Sequence, residues 1–149
     1  PSVTNFVFKG LEKAEFNPLI DLASFDEIII CPSNPFVSIS PIIQLEPLNT
    51  YLKENPERVS VVSPIVNAKS LKGPTSKMMS ELGMDTSVLT VANYYSEYSN
   101  TIFLDSSDTN EEHALVNNGF QVFFANLIMN NLDSKVNLAQ SVIDCLEQK

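Results

Sequence analysis

Short apolar runs alternate with helix-like segments along this chain, and this alternation constrains the fold more than any other feature. The apolar runs predict strands at residues 3–8, 27–31, 59–63, 101–104 and 120–124. Helical patterns lie between them, as in residues 47–55, where Leu48 and Leu52 share one face. Strands that alternate with helices indicate βαβ units and a parallel sheet. We therefore predict a three-layer α/β fold, with a mostly parallel, Rossmann-like sheet and helices on both faces.

Capping residues and helix breakers predict where the other helices begin and end. The pattern gives helices at residues 17–23, from Pro74 to Gly83, from residue 85 or 86 to Tyr95, from Asp108 to Gly119, and from Ser134 onward. Asp108 and Glu111 have the spacing of a capping box. The last helix has an apolar stripe formed by Val136, Ala139, Val142, Ile143 and Leu146.

Composition excludes several classes of protein. The length of 149 residues suits one α/β domain over residues 1–149, with 44% hydrophobic and 18% charged residues. A formal net charge of −9 argues against binding to nucleic acid or to an anionic membrane. The apolar runs are too short to span a bilayer. Cys31 and Cys145 have no disulfide or metal spacing, so we expect a reducing cytoplasm.

A stiff polar loop follows the second predicted strand. Its prolines, Pro32 and Pro35, restrict the backbone and remove two donors, so the strand ends there. Ligands of open α/β sheets bind at the carboxyl ends of strands, which makes Ser33, Asn34 and Ser38 candidate ligand contacts. The alternative is a turn in which these side chains only cap a helix.

A second polar loop, residues 63–74, follows the next strand and leads into a helix. Lys69 and Lys72 lie in it and Lys77 lies just beyond, so three of the nine basic residues are concentrated here. A helix N-terminus with nearby lysines suits a phosphate or diphosphate. The alternative is that these lysines are ordinary solvated charges.

Other chemical groups give weaker signals. Asp105 ends the fourth predicted strand and suits either a cation or hydroxyl contact or a cap of the next turn. The single histidine, His113, lies within a predicted helix and has no local partner for catalysis. The four glycines, at 10, 73, 83 and 119, make neither a G-x-G-x-x-G motif nor a Walker loop.

The runs CPSNPFVSISPI (residues 31–42) and SPIVNAKSLKGPTSKMMSELG (residues 63–83) resemble the 2-phospho-L-lactate transferase family. In that family the first motif reads Pro-Ser-Asn-Pro and then Ser-Ile-x-Pro-Ile. The second reads Ser-Pro-Ile, a lysine, and Lys-Gly-Pro before a Met-Met helix. Many relatives have Gly-Gly where this chain has Asn67 and Ala68. The resemblance covers nearly the whole chain and corresponds to the C-terminal half of a family member, so it implies an incomplete fold.

The resemblance implies a transferase of coenzyme F-420 biosynthesis. Such enzymes move a phospholactyl or phosphoenolpyruvyl group from a guanosine-diphosphate-linked donor to the deazaflavin precursor Fo, releasing GMP with the help of magnesium. It implies substrate contacts at Ser33, Asn34, Pro35, Ser38, Ser63, Lys69, Lys72 and Gly73. Asp105 is the one candidate metal ligand in this chain, and most magnesium ligands are expected in the other half.

Two alternatives remain open from the sequence. One is a nucleotide-sugar-binding regulatory protein of the same superfamily, although its Gly-Ser-Leu-Tyr-Thr-Ser loop differs from residues 33–38 here. The other is a non-catalytic fragment. Because half of the expected cleft lies elsewhere, we expect no turnover from the chain alone, and association with the other half or with a second copy as a homodimer.

Overall fold

The computed structural model describes residues 2–67, 69–70 and 74–149. Its strands are β1 (Ile28–Ile30), β2 (Val59–Val62), β3 (Ile65–Val66), β4 (Lys69–Ser70), β5 (Thr101–Asp105) and β6 (Gln121–Ala125). Its α-helices are α1 (Ser40–Ile43), α2 (Leu48–Glu54), α3 (Thr75–Glu81), α4 (Val88–Tyr95), α5 (Glu112–Asn117) and α6 (Leu132–Leu146). A π-helical turn, Pro35–Ile39, precedes α1.

Four strands form one parallel sheet in the order β1-β2-β5-β6. Strand β2 is paired on both sides: Val61 is opposite Ile30 of β1 and opposite Ile102 of β5. Both central strands, β2 and β5, are buried along their whole length, as expected for parallel strands covered on two faces. The predicted Rossmann-like α/β fold is therefore confirmed, in an incomplete form.

The two faces of the sheet have separate cores of different size. The larger core joins the sheet to α1–α5 through residues such as Leu52, Met79, Val91, Ile102 and Leu115. The smaller core lies under α6 and contains Val62, Val66, Phe103, Ala125, Leu127, Leu138 and Val142. Among the described residues, five α-helices pack on the face with the larger core and one, α6, packs on the other.

The N-terminal segment differs from the prediction. Residues 3–8 form no strand; instead the Val3 amide donates to the Glu81 carboxylate (2.9 Å), and Phe6 stacks on Phe36 with 5.6 Å between ring centroids. Phe6 buries its ring by packing against the larger core, and this contact needs no strand pairing. The helix predicted at residues 17–23 is also absent, and only a 3₁₀ turn, Leu22–Ser24, capped by Asp21, forms there.

Three details of the remaining elements also differ. The segment read as an irregular loop after β2 contains an antiparallel hairpin, β3–β4. Asp108 is not a capping-box residue, because its carboxylate accepts from the Asn67 amide, and a 3₁₀ turn opens α5. On α6, Leu138 and Val142 are buried, whereas Val136 and Ile143 of the predicted stripe are 56% and 46% exposed.

Within the described ranges, no helix combines the length and apolarity needed to cross a membrane.

Candidate functional site

The two polar loops meet at one pocket. We name residues 31–39 loop 1 and residues 63–74 loop 2; they follow β1 and β2, which are adjacent and parallel. The pocket has a volume of ≈ 280 Å³. Loop 1 contributes Pro32, Ser33, Asn34, Val37 and Ser38 to its lining, and loop 2 contributes Pro64 and Pro74. The structure thus brings both motifs to the carboxyl edge of the sheet, where open α/β folds bind ligands.

Asn34 organises loop 1 and joins it to α3. Its side-chain oxygen accepts from the amides of Phe36 (2.9 Å) and Val37 (3.1 Å), and so caps the π-helical turn. Its amide nitrogen lies 3.3 Å from the sulfur of Met78 on α3. The side-chain oxygen of Asn34 therefore acts as a helix cap, which is the alternative that the sequence left open. The side-chain NH₂ group carries two donor hydrogens, so it can also donate to a ligand in the pocket.

Ser33 and Ser38 offer hydroxyls to the pocket. Both line it, Ser33 half-buried and Ser38 exposed. Neither hydroxyl has a hydrogen-bond partner within the described part of the chain, so both are available as donors to a ligand.

Other predicted contacts lie beneath or beside the pocket. Pro35 is buried, and its carbonyl accepts from the Tyr94 hydroxyl (3.3 Å). Ser63 is fully buried and its hydroxyl exchanges hydrogen bonds with the amide and carbonyl of Ile65. Lys69 is exposed on β4. Lys72 and Gly73, also predicted to contact substrate, lie outside the described residues.

Thr75 is a polar residue that the sequence analysis did not single out. It begins α3 directly after Pro74 of the pocket lining, and it is 1% exposed. Within the described ranges its hydroxyl is buried without a hydrogen-bond partner. A buried hydroxyl left unpaired costs about 1–3 kcal/mol, which makes this atom unusual beside a predicted anion site. The sequence signal was available, since Thr follows the Lys-Gly-Pro motif.

A hydrogen-bond network around Asp105 holds the rim next to the pocket. Asp105 is buried, with 6% of the residue exposed. One carboxylate oxygen accepts from the amide (3.0 Å) and hydroxyl (2.6 Å) of Ser107, and the other accepts from the amide of Leu127 (2.9 Å). Asp105 therefore joins the loop after β5 to the loop after β6.

Asp108 extends this network to loop 2. Its carboxylate accepts from the Asn67 amide (3.0 Å), and the Asn67 side chain donates to the Ser107 hydroxyl (2.9 Å). Asn67 has φ 49, a left-handed conformation that asparagine tolerates better than most residues. This conformation lets the chain leave β3 for the turn that leads to β4. We name Asn67, Asp105, Ser107 and Asp108 the rim network.

The two aspartates of the rim network have opposite pKa shifts. Burial alone raises the pKa of Asp105, but hydrogen bonds from Ser107 and Leu127 together outweigh it and leave the pKa below its ordinary 3.8. The pKa of Asp108 is raised above 3.8, because burial disfavours its charge more than the Asn67 amide stabilises it. The negative charges of Asp105 and Glu111 also raise the pKa of Asp108.

Replacing Asp108 by Asn is expected to steepen the rise of stability with pH. The raised pKa of Asp108 gives stability that is lost as pH rises from 3.8 through the folded-state pKa. The lowered pKa of Asp105 gives stability that is lost as pH falls below 3.8. Removing only the first contribution should leave stability at pH 7 equal to or above that of the wild type. Urea unfolding across pH 3 to about 7 measures this.

The exposed Asp85 provides the control, as Asp85→Asn. A pH profile of Asp108→Asn that runs parallel to both wild type and control would contradict the assignment of the raised pKa.

Asp105 is the candidate metal ligand among the described residues. Its carboxylate accepts three hydrogen bonds, from the amide and hydroxyl of Ser107 and from the amide of Leu127, which is the loop cap that the sequence left open as the alternative. Within the described part of the chain, no group of three or more His, Cys, Asp or Glu residues is placed to hold a metal. His113 is exposed on α5 and lies 3.2 Å from the Asn117 amide, away from the pocket lining.

Comparison with known proteins gives one consistent result. A family model described as 2-phospho-L-lactate transferase CofD matches residues 5–128. A 2-phospho-L-lactate transferase of Methanococcoides burtonii is 32% identical over 145 residues, which are 96% of this chain and 47% of that protein. One from Methanococcus maripaludis strain C7 is 36% identical over 140 residues, covering 94% and 40%. The chain thus spans less than half the length of these relatives, and both loops fall within the matched range.

Proposed function

This chain belongs to the 2-phospho-L-lactate transferase family, and from that membership we propose that it forms part of an enzyme of coenzyme F-420 biosynthesis. The reaction moves a phospholactyl or phosphoenolpyruvyl group from a guanosine-diphosphate-linked donor to Fo. The Fo hydroxyl oxygen bonds to the phosphorus that carries the lactate or enolpyruvate group. The bond from that phosphorus to the bridging oxygen breaks, GMP leaves with the electron pair, and the hydroxyl proton passes to solvent.

The convergence of loops 1 and 2 on one pocket is the observation that carries this proposal. Phosphoryl-type transfer depends on positioning and charge stabilisation and needs no protein nucleophile. Ser33, Ser38 and the Asn34 amide supply donors on one wall of the pocket. These three groups suit the oxygens of a diphosphate.

Local positive charge is needed, because the chain as a whole repels anions. Its formal net charge is −9. The Lys77 ammonium lies 3.7 Å from the Glu81 carboxylate, and this ion pair weakens the attraction of Lys77 for an anionic ligand. Lys69 is exposed on β4, and we assign it, together with Lys72, to neutralising the donor phosphates. Magnesium remains part of the proposal, with Asp105 as the candidate ligand in this chain and most of its ligands expected outside it.

Calorimetry with GDP, Fo and a uridine-linked sugar tests the proposal against its two alternatives. We expect the chain to bind GDP and Fo without turnover, because it spans less than half of its relatives. Preferential binding of the uridine-linked sugar would instead support a nucleotide-sugar-binding regulatory protein. Binding of none of the three would support a non-catalytic fragment. The free cysteines Cys31 and Cys145 agree with a cytoplasmic location, which we include in the proposal.

Ser33→Ala is expected to weaken GDP binding at least about tenfold while leaving stability unchanged, since a hydrogen bond to a charged phosphate oxygen contributes about 1.5–3 kcal/mol. The substitution breaks no hydrogen bond within the described structure, so a loss of affinity reports on the ligand alone. Titration calorimetry and thermal unfolding measure the two quantities. Ser80→Ala, exposed on α3 and outside the pocket lining, is the control. Equal GDP affinity in Ser33→Ala and wild type would remove Ser33 from the site.

A further inference from the structure

Loop 1 ends in a π-helical turn where a regular α-helix would be disfavoured. The Ile39 amide donates to the Asn34 carbonyl at 3.2 Å. The Ser40 amide donates to the Pro35 carbonyl, so both bonds span five residues. Pro41, the second residue of α1, has no amide hydrogen, and its ring crowds the carbonyl four residues earlier. Short π-helical turns of this kind are rare and occur frequently at functional sites.

Tyr94 of α4 contacts this turn through both its hydroxyl and its ring. The hydroxyl donates to the Pro35 carbonyl (3.3 Å), the same oxygen that accepts the π-helical bond from Ser40. The ring packs edge-on against Phe36, with 5.4 Å between ring centroids. The side chain of Asn34 accepts from amides at the start of the turn. Tyr94 therefore holds a carbonyl of the turn, and Asn34 holds its amides.

Helix α4 is a firm support for these contacts. Ser87 caps its first turn. Val91, Ala92 and Tyr95 are almost completely buried in the larger core. Tyr94 is half-buried, and this burial raises its pKa above the ordinary value of 10. The hydroxyl therefore stays protonated at neutral pH and remains a hydrogen-bond donor.

Packing between α1 and α4 is incomplete, which gives the hydrogen bond from Tyr94 more weight. A cavity of ≈ 320 Å³ lies between α1 and the C-terminal end of α4. Polar side chains line most of it, among them Ser40, Gln44, Asn93 and Tyr94. Apolar contact is interrupted at this cavity, so polar contacts must contribute to fixing loop 1 on α4.

We propose that Tyr94 is a positioning residue of the pocket between loops 1 and 2. Its hydroxyl holds the π-helical turn in the path that brings Ser33 and Ser38 to the pocket lining. Tyr94 is not among the described residues that line this pocket, so it acts through loop 1 and does not touch the ligand. The effect of Tyr94 on ligand binding rests on the proposed function, whereas its hold on loop 1 does not.

Tyr94→Phe tests the proposal, because it keeps the ring and removes only the hydroxyl. In native-state hydrogen exchange, we expect the Ile39 and Ser40 amides to exchange about fivefold faster, since the closed turn has lost one hydrogen bond. Titration calorimetry should show about threefold weaker GDP binding, because the ligand must then order a looser loop.

Tyr95→Phe is the matched control. It removes the neighbouring hydroxyl on the same helix, and within the described ranges that hydroxyl makes no hydrogen bond that the change could break. Its GDP affinity and its exchange rates in loop 1 should stay within about 1.5-fold of wild type.

The two measurements separate a positioning role from a general structural one. Wild-type exchange rates in loop 1 of Tyr94→Phe, with faster exchange confined to the amides of β5, would give Tyr94 only a structural role and overturn the proposal. Unchanged GDP affinity in Tyr94→Phe, or an equal loss in both variants, would also overturn it. Failure of the wild-type chain to bind GDP would contradict the proposed function, and the exchange rates would then still decide whether Tyr94 holds loop 1.

Discussion

Asp105→Ala is expected to lower the free energy of unfolding by about 3 kcal/mol, the largest effect of a single substitution at the rim. Three hydrogen bonds to a charged acceptor disappear, from the Ser107 amide, the Ser107 hydroxyl and the Leu127 amide. Leu127 is fully buried, so its amide is left without a partner in the protein interior. Urea unfolding measures the stability, and hydrogen exchange reports protection of the Leu127 amide.

The control for this substitution is Asp85→Ala, which removes an exposed carboxylate in the segment that leads to α4. It should change stability by no more than about 0.5 kcal/mol. If Asp105→Ala is as stable as this control and keeps the Leu127 amide protected, the carboxylate is not what holds the loop after β6.

Asn34→Ala is expected to lower stability by about 1–2 kcal/mol and GDP affinity about tenfold. The methyl group accepts nothing from the amides of Phe36 and Val37, so the π-helical turn loses its cap. The amide contact with Met78 also disappears, which loosens loop 1 from α3. Chemical unfolding and titration calorimetry measure the two effects on the same preparation.

Asn34→Asp separates the structural role of Asn34 from binding. A carboxylate still accepts from both amides, so stability should stay close to that of wild type. It cannot donate to a phosphate and adds a negative charge to the pocket, so GDP affinity should fall at least as far as in Asn34→Ala. Unchanged GDP affinity in Asn34→Asp would show that Asn34 acts on loop 1 and not on the ligand.

The sequence predicted the central strands well because burial on both faces leaves a strong signal. Every residue of β2 and β5 is buried, and both appear in the sequence as compact apolar runs. The run at residues 3–8 has a similar composition but no sheet partner, and Phe6 packs against Phe36 instead. Local composition cannot distinguish pairing with a strand from packing on a side chain, since both bury apolar area.

The sequence predicted part of the arrangement around the pocket. The position of loops 1 and 2 follows from strand order, because adjacent parallel strands end at the same edge. The rim network did not follow, since Asp108 has the spacing of a capping box and yet bonds to Asn67, 41 positions away. Residue spacing predicts only hydrogen bonds between neighbours in the chain. The Asp108 carboxylate instead accepts from a distant backbone amide, which spacing cannot reveal. Asn67 directly follows β3 of the hairpin that the sequence analysis missed.

The rim network also limits how this chain can be re-engineered. Through Asn67, Asp105 and Asp108 it fastens together connections that leave three consecutive strands of the sheet. If one of these connections is replaced by that of a relative, hydrogen-bond donors in one connection lose their acceptors in another. This loss occurs even when the new connection folds correctly. Chimeras should therefore transplant all three connections as a unit, and libraries that vary one of them should hold the other two constant.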